Sequence, residues 1–186
     1  MTTHLLLSRR TTWMIVGVLA LSLQSCSLGV PTGITPVTNF EVDRYLGTWY
    51  EIARFNHRFE QGLEQVTATY TLKKNGSIRV ENAGVNTQTK KQKTAVGKAK
   101  FVADKHIGHL KVSFFGPFYG SYIVFHLEPD YSVAMVCGNS RAYCWILARK
   151  PVLTPEELAK YQKIAQDHGF DVDQFIYPAP ANAAAM

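Results

Sequence analysis

Asn39-Phe40-Glu41-Val42-Asp43-Arg44-Tyr45-Leu46-Gly47-Thr48-Trp49-Tyr50-Glu51 is the most specific stretch of this 186-residue chain. From Trp49 onward the sequence runs in short segments rich in β-branched and aromatic residues, separated by turn signals. Segments 49–57, 65–73, 77–84, 94–103, 108–115, 121–128, 131–138 and 142–149 predict eight strands. Such spacing is that of an all-β barrel or sandwich.

Lys74-Asn75-Gly76 predicts a tight hairpin between the second and third strands, because Asn and Gly tolerate the positive φ angles that such turns impose. Glu128-Pro129-Asp130 and Gly138-Asn139-Ser140-Arg141 punctuate later hairpins. Successive strand side chains point to opposite faces, so the cations in Gly97-Lys98-Ala99-Lys100-Phe101 mark the outside and put Ala95, Gly97, Ala99 and Phe101 inside. Leu110, Val112 and Phe114 face inward by the same reading. Small inward residues leave room, and about eight strands can enclose one small ligand. Alternation does not choose between an open interior and a filled one.

One segment reads as a helix. Thr154 as N-cap, Pro155 at N1 and Glu157 at N3 make a capping box that satisfies orphan N–H groups. Leu158, Tyr161, Ala165 and His168 follow near helical spacing, and Gly169 supplies the stop. Residues 174–177 predict a short added strand, and the alanine-rich 178–186 a frayed tail.

The composition, 46% apolar and 18% charged, is that of one globular domain. Arg9 and Arg10 precede an uncharged apolar run, 13–23, of the length of a signal-peptide core and shorter than the about 20 residues that span a bilayer. Leu23-Gln24-Ser25-Cys26 resembles a bacterial lipobox, with Gln24 departing from the small or aliphatic residue usual there. The resemblance implies cleavage after Ser25 and acylation of Cys26, each buried CH₂ contributing about 0.8 kcal/mol to membrane attachment. Ser27, where an aspartate would favour inner-membrane retention in enteric-type sorting, points to the outer membrane. The expected organisation is a leader over 1–25, a lipidated Gly-, Pro- and Thr-rich tether over 26–38, a domain over 39–177 and a tail over 178–186. Loss of the leader removes two arginines and no acid, lowering the net charge from +6 to +4. That excess is too mild to imply nucleic acid. Lys90, Lys91, Lys93, Lys98 and Lys100 read as a solvated loop and outer strand face.

The 39–51 stretch resembles the N-terminal signature of the lipocalins, in which a short 3₁₀ turn leads through Gly47-Thr48-Trp49 into the first strand. Asp130-Tyr131 is similar to the second lipocalin motif, with Pro129 in place of its threonine. Trp145-Ile146-Leu147-Ala148-Arg149 is similar to the third, ending in the arginine that packs across the signature tryptophan. Residues 49–55 and Lys111-Val112-Ser113-Phe114-Phe115-Gly116-Pro117-Phe118-Tyr119-Gly120 resemble the bacterial outer-membrane lipocalins, relatives of the apolipoprotein D-like branch. The resemblance implies an eight-stranded antiparallel up-and-down barrel flanked by one helix. It also implies binding of small hydrophobic ligands, fatty acids or lysophospholipids, in envelope maintenance under stress. A structural envelope lipoprotein with a filled barrel is the alternative.

Gly47, Trp49, Asp130, Tyr131 and Arg149 are expected to be structural, Arg149 laying its planar cation on the indole of Trp49. With Arg149 inside, period two also places Leu147 and Trp145 inside. Phe118 and Tyr119, in a Gly-flanked connection, are expected at an apolar rim. Glu51 shares a face with Trp49, Ala53 and Phe55 under strict alternation, which makes it a buried carboxylate. The expected ligand contacts are therefore Glu51, Phe55, Ala99, Phe101, Val112, Phe114, Phe118, Tyr119, Trp145 and Leu147. No metal-ligand spacing, phosphate loop, nucleophile elbow or early-strand cysteine is present, so neither catalysis nor a cofactor is expected. The expected partners are a small lipophilic ligand and, through Cys26, a membrane, with a homodimer left open. A hairpin centred between Ser140 and Arg141 sets Cys137 opposite Cys144, on the face away from Trp145, where a cross-strand disulfide and two separate thiols are both compatible with the spacing.

Overall fold

In a computed structural model the described residues are 28–181. The expected leader and Cys26 lie outside them. A helical turn α1 (Val42–Tyr45) precedes eight antiparallel strands, β1 (Gly47–Phe55), β2 (Leu63–Leu72), β3 (Ile78–Asn86), β4 (Gln92–Phe101), β5 (His109–Ser113), β6 (Gly120–Leu127), β7 (Val133–Cys137) and β8 (Cys144–Ala148). Each strand pairs with its sequence neighbour, and β1 pairs with both β2 and β8, so the sheet closes on itself. Helix α2 (Pro155–Asp167) lies outside it, and β9 (Phe175–Ile176) adds to the end of β1. The architecture is a closed eight-stranded antiparallel barrel with one flanking helix. All eight expected strands are present, with ends shifted by a few residues.

The local chemistry explains the punctuation. Gly76 adopts φ +76°, and Asn75 Oδ1 accepts from Ser77 N at 3.1 Å, which closes the β2–β3 hairpin. At α2 the Thr154 hydroxyl accepts from Glu157 N at 3.2 Å while the Glu157 carboxylate accepts from Thr154 N at 2.8 Å, a complete capping box. Gly169, at φ +77°, follows the helix. The turn before Gly47 is α-helical over four residues instead of 3₁₀.

Two apolar cores result. One fills the barrel and contains Phe40, Tyr45, Trp49, Tyr70, Val80, Ala99, Leu110, Val136 and Leu147. The other lies between the outer face of the sheet and α2, and contains Ile123, Met135, Ile146, Tyr161, Ala165 and Phe170. Segment 28–38, expected as a tether, is docked on the barrel. Ile34 is buried in the outer core, Val37 N donates to Val124 O at 2.9 Å, and Arg141 Nη2 donates to Thr32 O at 2.7 Å. Its Gly and Pro residues shape a packed path because the outer core offers Ile34 apolar surface to bury.

The barrel is plugged at the end where β1 starts. Trp49 is fully buried, and its Nε1 donates to Tyr45 O at 2.8 Å, which fixes α1 across the opening. The Arg149 guanidinium stands 3.9 Å from the centroid of the Trp49 ring. It also donates to Thr48 O, Arg44 O and Leu46 O, each at 2.8 Å. Gly47 passes beneath it at φ +90°, where a Cβ would come within 3.4 Å of Arg149 Nη1. The second motif joins the same end: Glu41 N donates to Tyr131 OH at 2.8 Å, and Arg44 lies 4.1 Å over the Tyr131 ring. Asp130 Oδ1 accepts from Ser132 N and Oγ, holding the β6–β7 turn.

Replacing Arg149 with Ala removes three charge-assisted bonds and the cation–π contact together. The expected loss, measured by chemical denaturation, is about 3 kcal/mol. Arg149→Lys should recover only part of it, because one ammonium cannot reach three carbonyls in fork geometry. A wild-type midpoint in Arg149→Ala would refute this role.

Candidate functional site

The interior is floored by the plug, and the 56–62, 87–91, 114–119 and 138–143 connections lie at the opposite end, the mouth. Trp49, Tyr45, Phe40, Ala99 and Leu147 are buried in the floor. Ala68, Phe101, Val112, Phe114, Tyr122 and Trp145 pack against the same core yet are only partly buried. Ala68 and Val112 are level with Trp49 and Ala99, Phe101 packs on Phe40 of the plug at 6.1 Å, and Phe114 and Trp145 lie nearest the mouth. These side chains pack toward the barrel interior and are each partly accessible. Three tyrosines form a hydroxyl chain through this region: Tyr122 OH lies 2.7 Å from Tyr45 OH and 2.8 Å from Tyr70 OH. Burial raises all three phenols above their ordinary value, so they are neutral donors and acceptors.

A β-bulge in β1 reorganises the upper wall. Glu51 pairs with Leu147, but Ala53 pairs with Ile146 and Arg54 with Trp145, so Ile52 is the extra residue. Beyond it the faces exchange. Ala53 and Phe55 turn to the outer core, where Phe55 packs 4.8 Å from Phe175 and 6.1 Å from Phe170, and Arg54 turns inward. Phe55 is therefore not a lumen residue, contrary to strict alternation from Trp49. Tyr119 is also outside: its ring lies 5.7 Å from Lys98 Nζ and 5.5 Å from Lys111 Nζ, the outward-facing cations of β4 and β5. The aromatic face draws these ammonium groups, which keeps the ring off the lumen. Phe118 is on the same connection and 66% exposed. Ala99 and Leu147 face inward but are buried in the floor, Phe101 faces inward at the plug beside Phe40, and Val112, Phe114 and Trp145 are the partly buried residues of the inward wall.

The exchange creates a buried polar cluster that strict alternation missed. Arg54 is 1% exposed, and its Nη1 donates to the Glu51 carboxylate. Its Nη2 donates to Glu60 O at 2.8 Å and Leu63 O at 3.2 Å. Glu60 Oε2 accepts from Trp145 Nε1 at 3.2 Å and lies 3.0 Å from His57 Nε2, while Glu60 Oε1 accepts from Asn82 Nδ2 at 3.4 Å. His57 packs edge-on against Trp145 at 5.1 Å. The signal that could have located Arg54 and His57 is the charge itself: an arginine amid apolar residues of an inner strand needs a carboxylate partner.

Two carboxyl groups share one arginine here. Burial and the neighbouring Glu60 charge push Glu51 up to about 8, against the pull of Arg54, so at neutral pH it holds a proton for much of the time. Burial also raises Glu60, but bonds from His57 and Trp145 and the charge of Arg54 outweigh it and hold this carboxyl low. Arg54 Nε, His57 Nδ1 and Asn82 Oδ1 are buried without a protein hydrogen-bond partner. Among the described residues no group of His, Cys, Asp and Glu is placed to hold a metal ion. Two hollows of about 200 and 270 Å³ open to the surface, the first beside the plug and the second between β4 and the 114–119 connection, where Gly97 and Phe114 line it.

Cys137 and Cys144 face each other across the β7–β8 pair, in the outer core and on the side opposite Trp145. Both are free thiols. Burial pushes Cys137 up to about 12 and raises Cys144 well above its ordinary value, so neither is a reactive thiolate.

Residues 40–180 match the family described as a lipocalin-like domain. The outer membrane lipoprotein Blc of Citrobacter freundii is 50% identical over 147 residues, which are 79% of this chain and 83% of that protein. Temperature-induced lipocalin-1 of Arabidopsis thaliana is 33% identical over 149 residues, 74% of this chain and 78% of that one. Insecticyanin from the tobacco hornworm Manduca sexta shares the fold, with a TM-score of 0.67 at 21% identity over 84% of this chain and 89% of that structure.

The raised Glu51 has a consequence for stability. Between pH 4.5 and about 8 the native state keeps a proton that the unfolded chain releases, so stability should fall as pH rises through that window. Glu60 acts in the opposite sense and lower down: its contribution is present above pH 4.5 and is lost as pH falls through its depressed folded value. Denaturation midpoints of Glu51→Gln should lack the decline above pH 4.5. An unchanged slope would assign the titration elsewhere.

Proposed function

The chain belongs to the lipocalin family, and from that premise we propose that it is an outer-membrane lipoprotein, anchored through Cys26, that carries or stores fatty acids or lysophospholipids in envelope maintenance under stress. Binding of small hydrophobic ligands, without catalysis, is the family's activity. The finer reading rests on one observation: the inward wall is amphipathic. Val112, Phe114 and Trp145 are partly buried apolar residues of this face, while Arg54, His57, Glu60 and Asn82 stand together on the same wall. An acyl chain suits the first set, at about 0.8 kcal/mol per buried CH₂ before the cost of ordering the ligand. A polar headgroup suits the second, where buried donors and acceptors lack protein partners. The lipid anchor is supported by the position of Cys26 after its apolar leader and by the 50%-identical relatives, which are outer membrane lipoproteins.

Cys26→Ser should move the folded protein from the membrane to the soluble fraction; continued membrane partition would overturn the anchor. Native mass spectrometry of that soluble variant should show one co-purifying lipid per barrel. Titration with a lysophospholipid should change tryptophan emission saturably in the parent and far less in Trp145→Phe, where the buried Trp49 remains. A folded barrel that takes up no lipid would support the filled-barrel alternative.

A further inference from the structure

The docked N-terminal segment shows from which end of the barrel the anchor departs. Val37 N and O bond with Val124 and Gly108 near the plugged end, whereas Thr32 O accepts from Arg141 in the 138–143 connection and Gly29 O accepts from Ser121 Oγ at 3.2 Å. Ser121 is the second residue of β6, directly after the 114–119 connection at the mouth. From Thr32 to Val37 the segment therefore runs from mouth to plug, and its N-terminal end lies on the β5–β6 face, Gly29 on Ser121 toward the mouth and the Leu28 backbone on the His109 ring. Three residue steps separate Gly29 from Cys26, about 11 Å at most.

That mouth carries apolar surface with no intramolecular cover. Phe115 is 73% exposed, Phe118 66% and, on the 56–62 connection, Phe59 57%. Cations flank them: Lys98 and Lys111 bracket Tyr119, the hollow of about 270 Å³ beside Gly116 has Lys73 and Lys98 on its wall, and Lys90, Lys91 and Lys93 are exposed at the β3–β4 end. Aromatic tips among lysines match a bilayer interface, where rings enter the acyl boundary and ammonium groups meet phosphates.

We propose that the mouth of the barrel docks on the phospholipid surface that holds the anchor, with Phe115 and Phe118 entering the interface and Lys98 and Lys111 facing lipid phosphates. The barrel then stands mouth-down, and an acyl chain passes between bilayer and lumen with little exposure to water. The tether length makes the geometry enforceable: about 11 Å of chain from Gly29, bonded to Ser121 just below the 114–119 connection, keeps that side of the mouth against the membrane. This docking rests on the Cys26 anchor proposed above.

The test uses the full lipidated protein in vesicles of phosphatidylethanolamine and phosphatidylglycerol. An environment-sensitive fluorophore is placed on Gly120→Cys at the mouth or on Lys105→Cys at the plugged end. A Cβ at Gly120 meets nothing within 4 Å, Lys105 is exposed, and the native Cys137 and Cys144 are buried. Quenching by lipids brominated near the headgroup should be severalfold stronger at Gly120 than at Lys105. Phe115→Ser with Phe118→Ser should reduce that quenching while the protein still floats with the vesicles. Equal quenching at both sites, or stronger quenching at Lys105, overturns mouth-down docking and leaves the anchor standing. Failure of the parent to float overturns the anchor, and the docking with it. Should the double variant misfold, the contrast between the two labels in the parent still decides.

Discussion

The stacking of Arg149 on Trp49 is the contact on which the rest of the barrel depends. It joins the end of β8 to the start of β1, one hundred residues apart in sequence, and its three carbonyl bonds reach into α1 and the turn before β1. A closed barrel must match its last strand to its first, and loop entropy opposes that match more than any local hairpin. A planar cation with five donors can hold an indole face and several carbonyls at once, which no other side chain can do in that volume. The plug then sets the floor of the lumen and, by closing one end, defines the other as the entrance.

From that floor upward the lumen changes from apolar to polar because of one residue. Ile52 is extra in β1, so residues beyond it present their opposite faces. The bulge delivers Phe55 to the outer core, where it packs with Phe170 and Phe175, and it brings Arg54 to Glu51 and Glu60. A buried arginine is tolerated there because the Glu51 carboxyl and the backbone carbonyls of Glu60 and Leu63 meet it and the Glu60 charge lies nearby, and the excess acid is relieved by keeping Glu51 largely protonated at neutral pH. An amphipathic wall thus follows from a single inserted residue in a strand that would otherwise alternate regularly.

The outer face has its own logic. Helix α2 covers the β6–β8 side and buries Cys137 and Cys144 as packing residues, away from the lumen. The N-terminal segment docks on the same side of the barrel, Thr32 bonded to Arg141 and Gly29 to Ser121. The open end of the barrel and the exposed Phe115 and Phe118 share one end of the molecule.

Much of this was legible in the chain itself. Eight strands, their hairpin turns and the capped helix follow from local rules that need no partner: β-branched and aromatic runs, Asn75-Gly76, and Thr154-Pro155-Glu156-Glu157. The inward faces of β4, β5 and β8 were readable because lysines mark the outside of the first two and regular alternation from Arg149 sets the third. The pairing of Cys137 with Cys144 followed from hairpin symmetry. Tertiary structure alone decided the rest. Nothing local announces that Ile52 is bulged, since the extra residue is defined by the register against β8; Arg54 could not be placed inside, nor Phe55 outside, before that pairing existed. Tyr119 turns outward because two lysines from neighbouring strands converge on it, and segment 28–38 packs because a core assembled from distant strands receives Ile34. Period and turn chemistry are properties of neighbours in sequence, whereas the face a side chain finally takes depends on strands brought together across the whole chain.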